Sequence, residues 1–306
     1  MSNYLLPQLL LSQATVDEFI RCYWPLKPFF VSSAVERFDS VFNRSYFDDP
    51  INAITRLECP AKLVHQNEKG NCTYTFVPNT VAATAYRMNG RSVCLNNVDR
   101  AMTDIGLALE NLISELKLPL HVRTSTYCSA YISGQGKGLG KHFDNHEVFV
   151  LQLTGKKRWW INQNENVSFP TLNHSAGDPL PQRPEFLQLR GSVSTDMPEE
   201  AICIDMVPGS VLFLPRGFWH TTEAIEDSVS LSIGVHVPTW YDLLVTHLQN
   251  RLLRFESWRT PVTKAWTSEK DALIAIDQLE CMLRELPKDA ELGIPEVIIS
   301  HFGILQ

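Results

Sequence analysis

The sequence predicts a mainly β fold with flanking helices: a sandwich or barrel, followed by a C-terminal helical element. Three observations point there. Between residues 121 and 237, short runs rich in β-branched and aromatic residues are separated by Gly- and Pro-containing turns. Before them, helical and extended patterns alternate. After Pro238 the apolar spacing is helical throughout.

Taken in order, Thr15-Val-Asp-Glu18 has capping-box spacing and opens a helix to about Trp24. Ser33-Ala-Val-Glu36 repeats that signal. Pro25 and Pro28 punctuate the gap, and residues 29–31 read as a short buried strand. Residues 61–65 and 72–77 read as strands around a polar turn at 67–70. Residues 79–88 predict a helix closed at Asn89-Gly90, where glycine can take the left-handed conformation. Residues 101–117 predict the clearest helix, with Ile105, Leu107, Leu109, Leu112, Ile113 and Leu116 mostly on one face. Strands follow at 121–132, 148–153, 158–161, 202–207, 211–215 and 229–237. A polar, Pro-rich insertion at 162–200 is too long for a hairpin, and loops of that length are lids or binding loops. Residues 241–255 and 268–286 are the main later helices. The expected organisation is a barrel with an N-terminal α/β elaboration over 1–238 and a helical region over 239–306.

The 306 residues are 44% hydrophobic and 20% charged, enough apolar material for one large core and a smaller element. A net charge of −7 argues against a direct nucleic-acid partner. Seven cysteines without a C-x-x-C pair read as free thiols in a reducing compartment. The apolar run 4–11 has no basic residue before it and contains Pro7, so it does not read as a signal peptide. No run is long enough to cross a bilayer. A cytoplasmic protein is expected.

The chemistry starts at His142-Phe-Asp144. Two ligand types at i and i+2 on an extended segment share one face and can reach one ion. Such a triplet is common by chance and needs a third ligand. The segment Gly209-Ser-Val-Leu-Phe-Leu-Pro215-Arg-Gly217-Phe-Trp-His220 offers it, matching G-x₅-P-x-G-x₂-H, the second half of a cupin signature. Gly136, His142, Glu147 and Gly155 approximate the first half. With Asp144 in place of a second histidine, the set becomes two imidazoles and a carboxylate. That facial triad leaves three positions free on Fe(II), two for the keto-acid end of 2-oxoglutarate and one for O₂.

A cation is then needed for the far carboxylate of 2-oxoglutarate, and Lys157 lies across the next turn. Lys156 and Arg158 are alternatives by charge, but alternation points both to the opposite face. His146 reads as a pocket-mouth residue before a fourth ligand, and Glu147 belongs to an alternative ligand set. Trp159, Trp160 and Trp219 read as core before substrate platforms. His65, His121, His174, His236, His247 and His301 lack metal-like spacing. Arg251, Arg254 and Arg259 read as a solvated helix face.

The string Lys141-His-Phe-Asp-Asn-His-Glu-Val-Phe-Val-Leu-Gln-Leu-Thr-Gly-Lys-Lys-Arg-Trp159 resembles the core of JmjC-type protein hydroxylases of the ribosomal-oxygenase group. So do Phe19 to Pro28, Asn96-Asn-Val-Asp-Arg100, and Pro238-Thr-Trp-Tyr-Asp-Leu-Leu244. Four motifs thus fall in order across residues 19–244. The resemblance implies a double-stranded β-helix (the cupin/JmjC jelly-roll barrel), iron held by His142, Asp144 and His220, and 2-oxoglutarate held by Lys157. Tyr131 matches the tyrosine of the group's N-x-Y segment, although Ser129 stands where the asparagine would be. Ser232 sits where relatives place a small polar residue near the co-substrate. The implied activity is hydroxylation of an unactivated C–H bond in a protein or peptide residue. Alternatives are a small molecule or biosynthetic peptide as substrate, N-methyl-lysine demethylation, and a non-catalytic cupin that only binds. Relatives carry a dimerisation unit and a winged-helix domain after the barrel. Here residues 241–286 would supply the helices of a homodimer, and the final domain would be reduced or absent.

Overall fold

The computed structural model describes residues 5–10, 14–66, 72–187, 189–263 and 265–284. The chain divides into two compact units, residues 1–237 and 238–306. In the first, the strands are β1 (Phe29–Val31), β2 (Ala61–Gln66), β3 (Cys72–Val77), β4 (Val93–Leu95), β5 (Tyr127–Ser133), β6 (Gly138–Phe143) and β7 (Glu147–Thr154). They continue with β8 (Lys157–Asn162), β9 (His174–Ser175), β10 (Ile202–Met206), β11 (Val211–Leu214), β12 (Trp219–Ala224) and β13 (Ser228–Val235).

Two antiparallel sheets form, in the orders β1-β11-β7-β13-β5-β4-β2-β3 and β10-β8-β12-β6-β9. The pairings nest: β5 lies beside β13, β6 beside β12, β7 beside β11, and β8 beside β10. The chain from 127 to 235 is therefore one long hairpin wound between two sheets, which is what a double-stranded β-helix is. Its tip, between β8 and β10, carries the insertion. Nesting has a direct consequence for the site. His142 on β6 and His220 on β12 are cross-strand partners although 78 residues separate them in sequence.

Period-two alternation sorts side chains into two cores. Val148, Val150, Leu212 and Leu214 of one sheet meet Trp159, Ile161 and Met206 of the other inside the barrel. The alternate residues Phe149, Leu151, Val211 and Phe213 face outward and pack with the N-terminal helices, where Phe19 touches Phe149 and Phe213 edge-on or tilted. Burial of these aromatic groups stabilises the seam by roughly 2 kcal/mol per side chain.

The helix Val16–Cys22 starts at a formed capping box, with Glu18 N–H donating to Thr15 Oγ1 and Thr15 N–H to Glu18 Oε2. The second expected box does not form. Residues Val35–Ser40 are a 3₁₀ helix entered from Ala34, with no side-chain cap bond. The strand expected from 121 begins only at Tyr127, after a 3₁₀ turn over Leu120–Ser125. There the Ser125 and Thr126 hydroxyls donate to the Val122 carbonyl and Arg123 donates to the Thr126 carbonyl, local bonds that compete with a strand ladder. The long helix expected from 101 is interrupted at Met102, dividing Val98–Ala101 from Thr103–Glu115.

The second unit holds helices Trp240–Leu252, Glu256–Arg259 and Glu269–Arg284, none of which has a buried residue. The expected turn at 67–70, residues 285–286 of the last helix, and His301 lie outside the described residues, as does the side chain of His121. No described helix is long and apolar enough to cross a membrane.

Candidate metal centre

His142 is the penultimate residue of β6, and Asp144 follows the strand's end. The β6–β12 register shifts by one residue between the pairs His220–His142 and Thr222–Leu139. That bulge keeps Leu139 and His142 on the same inner face despite their odd spacing. His220 arrives on β12 from a turn in which Gly217 has φ +85, a conformation that only glycine adopts without strain. The glycine that opens the signature is equally constrained: a Cβ on Gly209, at φ +90, would stand 1.9 Å from the Ser33 carbonyl oxygen.

One ligand atom from each of His142, Asp144 and His220 lies within 4.8 Å of the others. The two imidazole centroids are 4.1 Å apart, and His220 Nε2 is 3.7 Å from Asp144 Oδ2. His142 Nδ1 meets the Gly140 carbonyl at 2.7 Å and His220 Nδ1 meets the Phe218 carbonyl at 3.0 Å. A carbonyl only accepts, so each Nδ1 carries the proton and each Nε2 keeps a lone pair turned toward the cluster. Burial, assisted by His142, pushes the His220 imidazole down to about 3. It is neutral at any ordinary pH, as a ligand must be. Burial pushes the Asp144 carboxyl up, but His146, His142, His220 and His236 together hold it below its usual range. Two imidazole nitrogens and one carboxylate suit a divalent ion with open positions.

The same narrow cavity continues past Tyr131, Ser232 and Thr222 to Lys157. The lysine is 2% exposed, and its Nζ lies 5.9 Å from the Tyr131 ring centroid. Among the described residues no carboxylate pairs with it, and burial lowers it to about 8 despite an opposing effect of Cys94. A buried ammonium without an anion is costly and calls for one. Its neighbours in sequence do the opposite. Lys156 and Arg158 lie on the outer face and hold Asp205 at 2.8 and 2.6 Å.

A wider cleft of about 620 Å³ opens onto His142, Asp144, Tyr131 and Ser232, walled on one side by residues 173–181 of the insertion. The insertion is packed, not loose. Val167 and Phe186 cluster with Phe143 and Trp219, Trp219 Nε1 donates to Asn166 Oδ1, and β9 extends the β6 edge.

His146 lines the cleft, and both its nitrogens are engaged. Asn145 Nδ2 donates to the Thr171 carbonyl, so Asn145 Oδ1 is the acceptor facing His146 Nδ1 at 3.1 Å. The other nitrogen, Nε2, then accepts from the Tyr127 hydroxyl at 2.8 Å. Glu147 is buried against Arg216 and lies outside the three-residue cluster. Sequence reasoning missed Tyr127, Cys94 and His236. Alternation does put Tyr127 on the same face as Ser129 and Tyr131, and all three line the cleft. Cys94 is placed by pairing with Tyr131 across β4–β5, a register the sequence does not carry.

Residues 110–243 match the JmjC domain family. Among curated proteins, YxbC of Bacillus subtilis (strain 168), described as uncharacterized, is 28% identical over 299 residues, covering 95% of this chain and 89% of that protein. The ribosomal protein uL16 3-hydroxylase of Escherichia coli (strain K12) is 29% identical over 109 residues, 36% of this chain and 25% of that protein. Among solved structures, the Escherichia coli ribosomal oxygenase YcfD superposes with a TM-score of 0.52 at 18% identity, covering 95% of this chain and 70% of that one. Its complex with cobalt and 2-oxoglutarate gives 0.51 at 19% identity, with the same coverage. Residues 110–243 thus resemble a JmjC domain, carried on a double-stranded β-helix with the fold of the ribosomal oxygenase structures.

Proposed function

We propose that the chain is an Fe(II)- and 2-oxoglutarate-dependent oxygenase that hydroxylates an unactivated C–H bond in a residue of a protein or peptide. One observation carries this reading: a cluster of two imidazoles and a carboxylate shares a cavity with a buried ammonium that has no carboxylate partner among the described residues. A structural zinc site would close its shell with a fourth side chain. Among the described residues this cluster has three.

His142, Asp144 and His220 would hold the iron, with Asp144 the single anionic ligand. Lys157 receives the far carboxylate of 2-oxoglutarate in a charge-assisted hydrogen bond, flanked by Tyr131 and Ser232. Bound iron and 2-oxoglutarate supply oxygen activation, with succinate and CO₂ as co-products. The chain's own part is to orient the co-substrate, to exclude water with Val148, Val150 and Trp159, and to admit the target through the wider cleft. Likeness to ribosomal oxygenases supports a protein target. The insertion wall at 173–181 favours a second reading, in which the cleft takes a small molecule or biosynthetic peptide. Lysine demethylation would use the same groups. The exposed apolar residues of the C-terminal helices, such as Leu244, Leu248, Ile276 and Leu283, support homodimerisation. A cytoplasmic location suits the free cysteines.

The experiment is incubation of purified protein with Fe(II), 2-oxoglutarate, ¹⁸O₂ and cell extract. Succinate formation with label in protein supports the main reading, and label in metabolites supports the second. A protein that binds no Fe(II) and never forms succinate is a binding cupin.

A further inference from the structure

Glu147 and Arg216 stand outside the three-residue cluster, yet each adjoins one half of it. Glu147 opens β7 three residues after Asp144, and Arg216 lies in the turn that delivers His220. Both side chains are buried, with Arg216 Nε 3.5 Å from Glu147 Oε1. Arg216 Nη2 donates to the Val237 carbonyl at 2.7 Å, and the Val237 amide donates to Glu147 Oε2 at 3.4 Å. The next residue, Gly217, donates its amide to the Asp144 carbonyl at 2.8 Å. Two consecutive residues of the His220 turn are thus fastened to the Asp144 segment.

We infer that the Glu147–Arg216 pair is a positioning device, which sets the spacing of the Asp144 and His220 donor atoms and so the affinity for the metal, without touching it. The inference rests on the reading of the cluster as a metal site. Strand pairing alone does not supply that spacing. The β6–β12 ladder registers His142 against His220, but β6 ends at Phe143, so Asp144 lies beyond it. What ties Asp144 to the His220 turn is the Gly217 bond, and the ion pair closes over the same turn. Stability is a poor account of the pair. Burial pushes the Glu147 carboxyl above its usual range even with Arg216 and backbone amides pulling the other way. Buried pairs of this kind can often be replaced by apolar groups with little loss of stability. Nor is Glu147 available as a ligand, since one carboxylate oxygen faces Arg216 and the other the Val237 amide.

The test compares native protein with Glu147→Gln, Arg216→Lys and the double variant Glu147→Leu/Arg216→Met. Amide hydrogen exchange across 215–220 is followed in metal-free protein, and Co(II) is titrated by calorimetry and visible absorption well below the melting temperature. Positioning gives tenfold or faster exchange at Gly217 in the Gln and double variants, a Co(II) dissociation constant raised tenfold or more, and an altered Co(II) spectrum. It also gives partial recovery in Arg216→Lys, which keeps the charge. The double variant is decisive, because apolar replacement restores packing but not spacing. Native Co(II) affinity and spectrum in the double variant, or native protection at Gly217, overturns the inference. Native protein that takes up no Co(II) counts against the metal-site reading itself, and the exchange measurement then decides the clamp alone.

Discussion

The two ends of the barrel's inner cavity treat charge in opposite ways. At one end Asp144 is surrounded by His142, His146, His220 and His236, and they hold its carboxyl ionised in spite of burial. At the other end Lys157 is more deeply buried and has no carboxylate partner among the described residues, and its ammonium is driven down to about 8. The first end gathers a carboxylate and several imidazole nitrogens, an arrangement that attracts a divalent cation. The second is a cation held out of water, an arrangement that attracts a dianion. One cavity thus asks for a cation and an anion, and an anion with a chelating head for that cation and a carboxylate tail for the lysine meets the second demand while completing the first.

The strongest way to break this comparison is to remove its anionic end. Asp144→Ala deletes the single carboxylate among the three donors. Loss of groups that merely orient metal ligands costs about 10–100-fold in affinity or activity, so loss of the ligand itself should cost more than about 100-fold. Iron content after dialysis and succinate formation should fall together. A variant that keeps native iron content would show that the cluster is not the metal site.

Removing the cationic end separates the two. Lys157→Ala forfeits a charge-assisted hydrogen bond worth about 1.5–3 kcal/mol, so the apparent KM for 2-oxoglutarate should rise roughly 10- to 150-fold. Metal affinity should stay near native. If KM is unchanged, the lysine is not the anchor.

Stability sharpens the contrast further. A fall in the Lys157 value from 10.5 to about 8 corresponds to ~3 kcal/mol of cost for burying the charge. The cost is fully present below pH 8 and fades as pH rises toward 10.5. Lys157→Met should therefore be more stable than the native protein in urea at pH 7, by up to ~3 kcal/mol, with the gap closing near pH 10. Equal stability at both pH values would mean that the ammonium is already compensated in the free protein.

How much of this was legible in the sequence follows from what period two can and cannot encode. Alternation separates Lys157 from Lys156 and Arg158, and the structure finds the latter two on the outer face with Asp205. The signature around Pro215 and Gly217 marks a turn, because only glycine adopts φ +85 there without strain. Neither pattern reveals the neighbours supplied by long-range pairing. The nested hairpin puts His220 beside His142, and β4 beside β5 brings Cys94 against Tyr131. Such register is a property of the whole sheet. Expectations at Ser33 and at 121–126 failed where local side-chain and backbone bonds could form equally well in a 3₁₀ turn. The engagement of both His146 nitrogens depends on Asn145 and Thr171, the latter in the insertion, where the sequence shows no periodicity to read.

The smallest predicted effect tests the cationic end without any mutation. Burial pushes the Lys157 ammonium down to about 8, and a co-substrate dianion anchored there would require the protonated form. Below that pH the apparent kcat/KM for 2-oxoglutarate should be flat as far as this group is concerned. Above it the value should fall about tenfold per pH unit. Binding of the carboxylate raises the lysine's affinity for its proton, so kcat at saturating 2-oxoglutarate should hold to higher pH than kcat/KM. That separation distinguishes Lys157 from a general alkaline loss of iron, which would lower both parameters together. In Lys157→Ala the break near pH 8 should vanish. Its persistence there would assign the titration to another group and remove the link between the buried ammonium and the co-substrate.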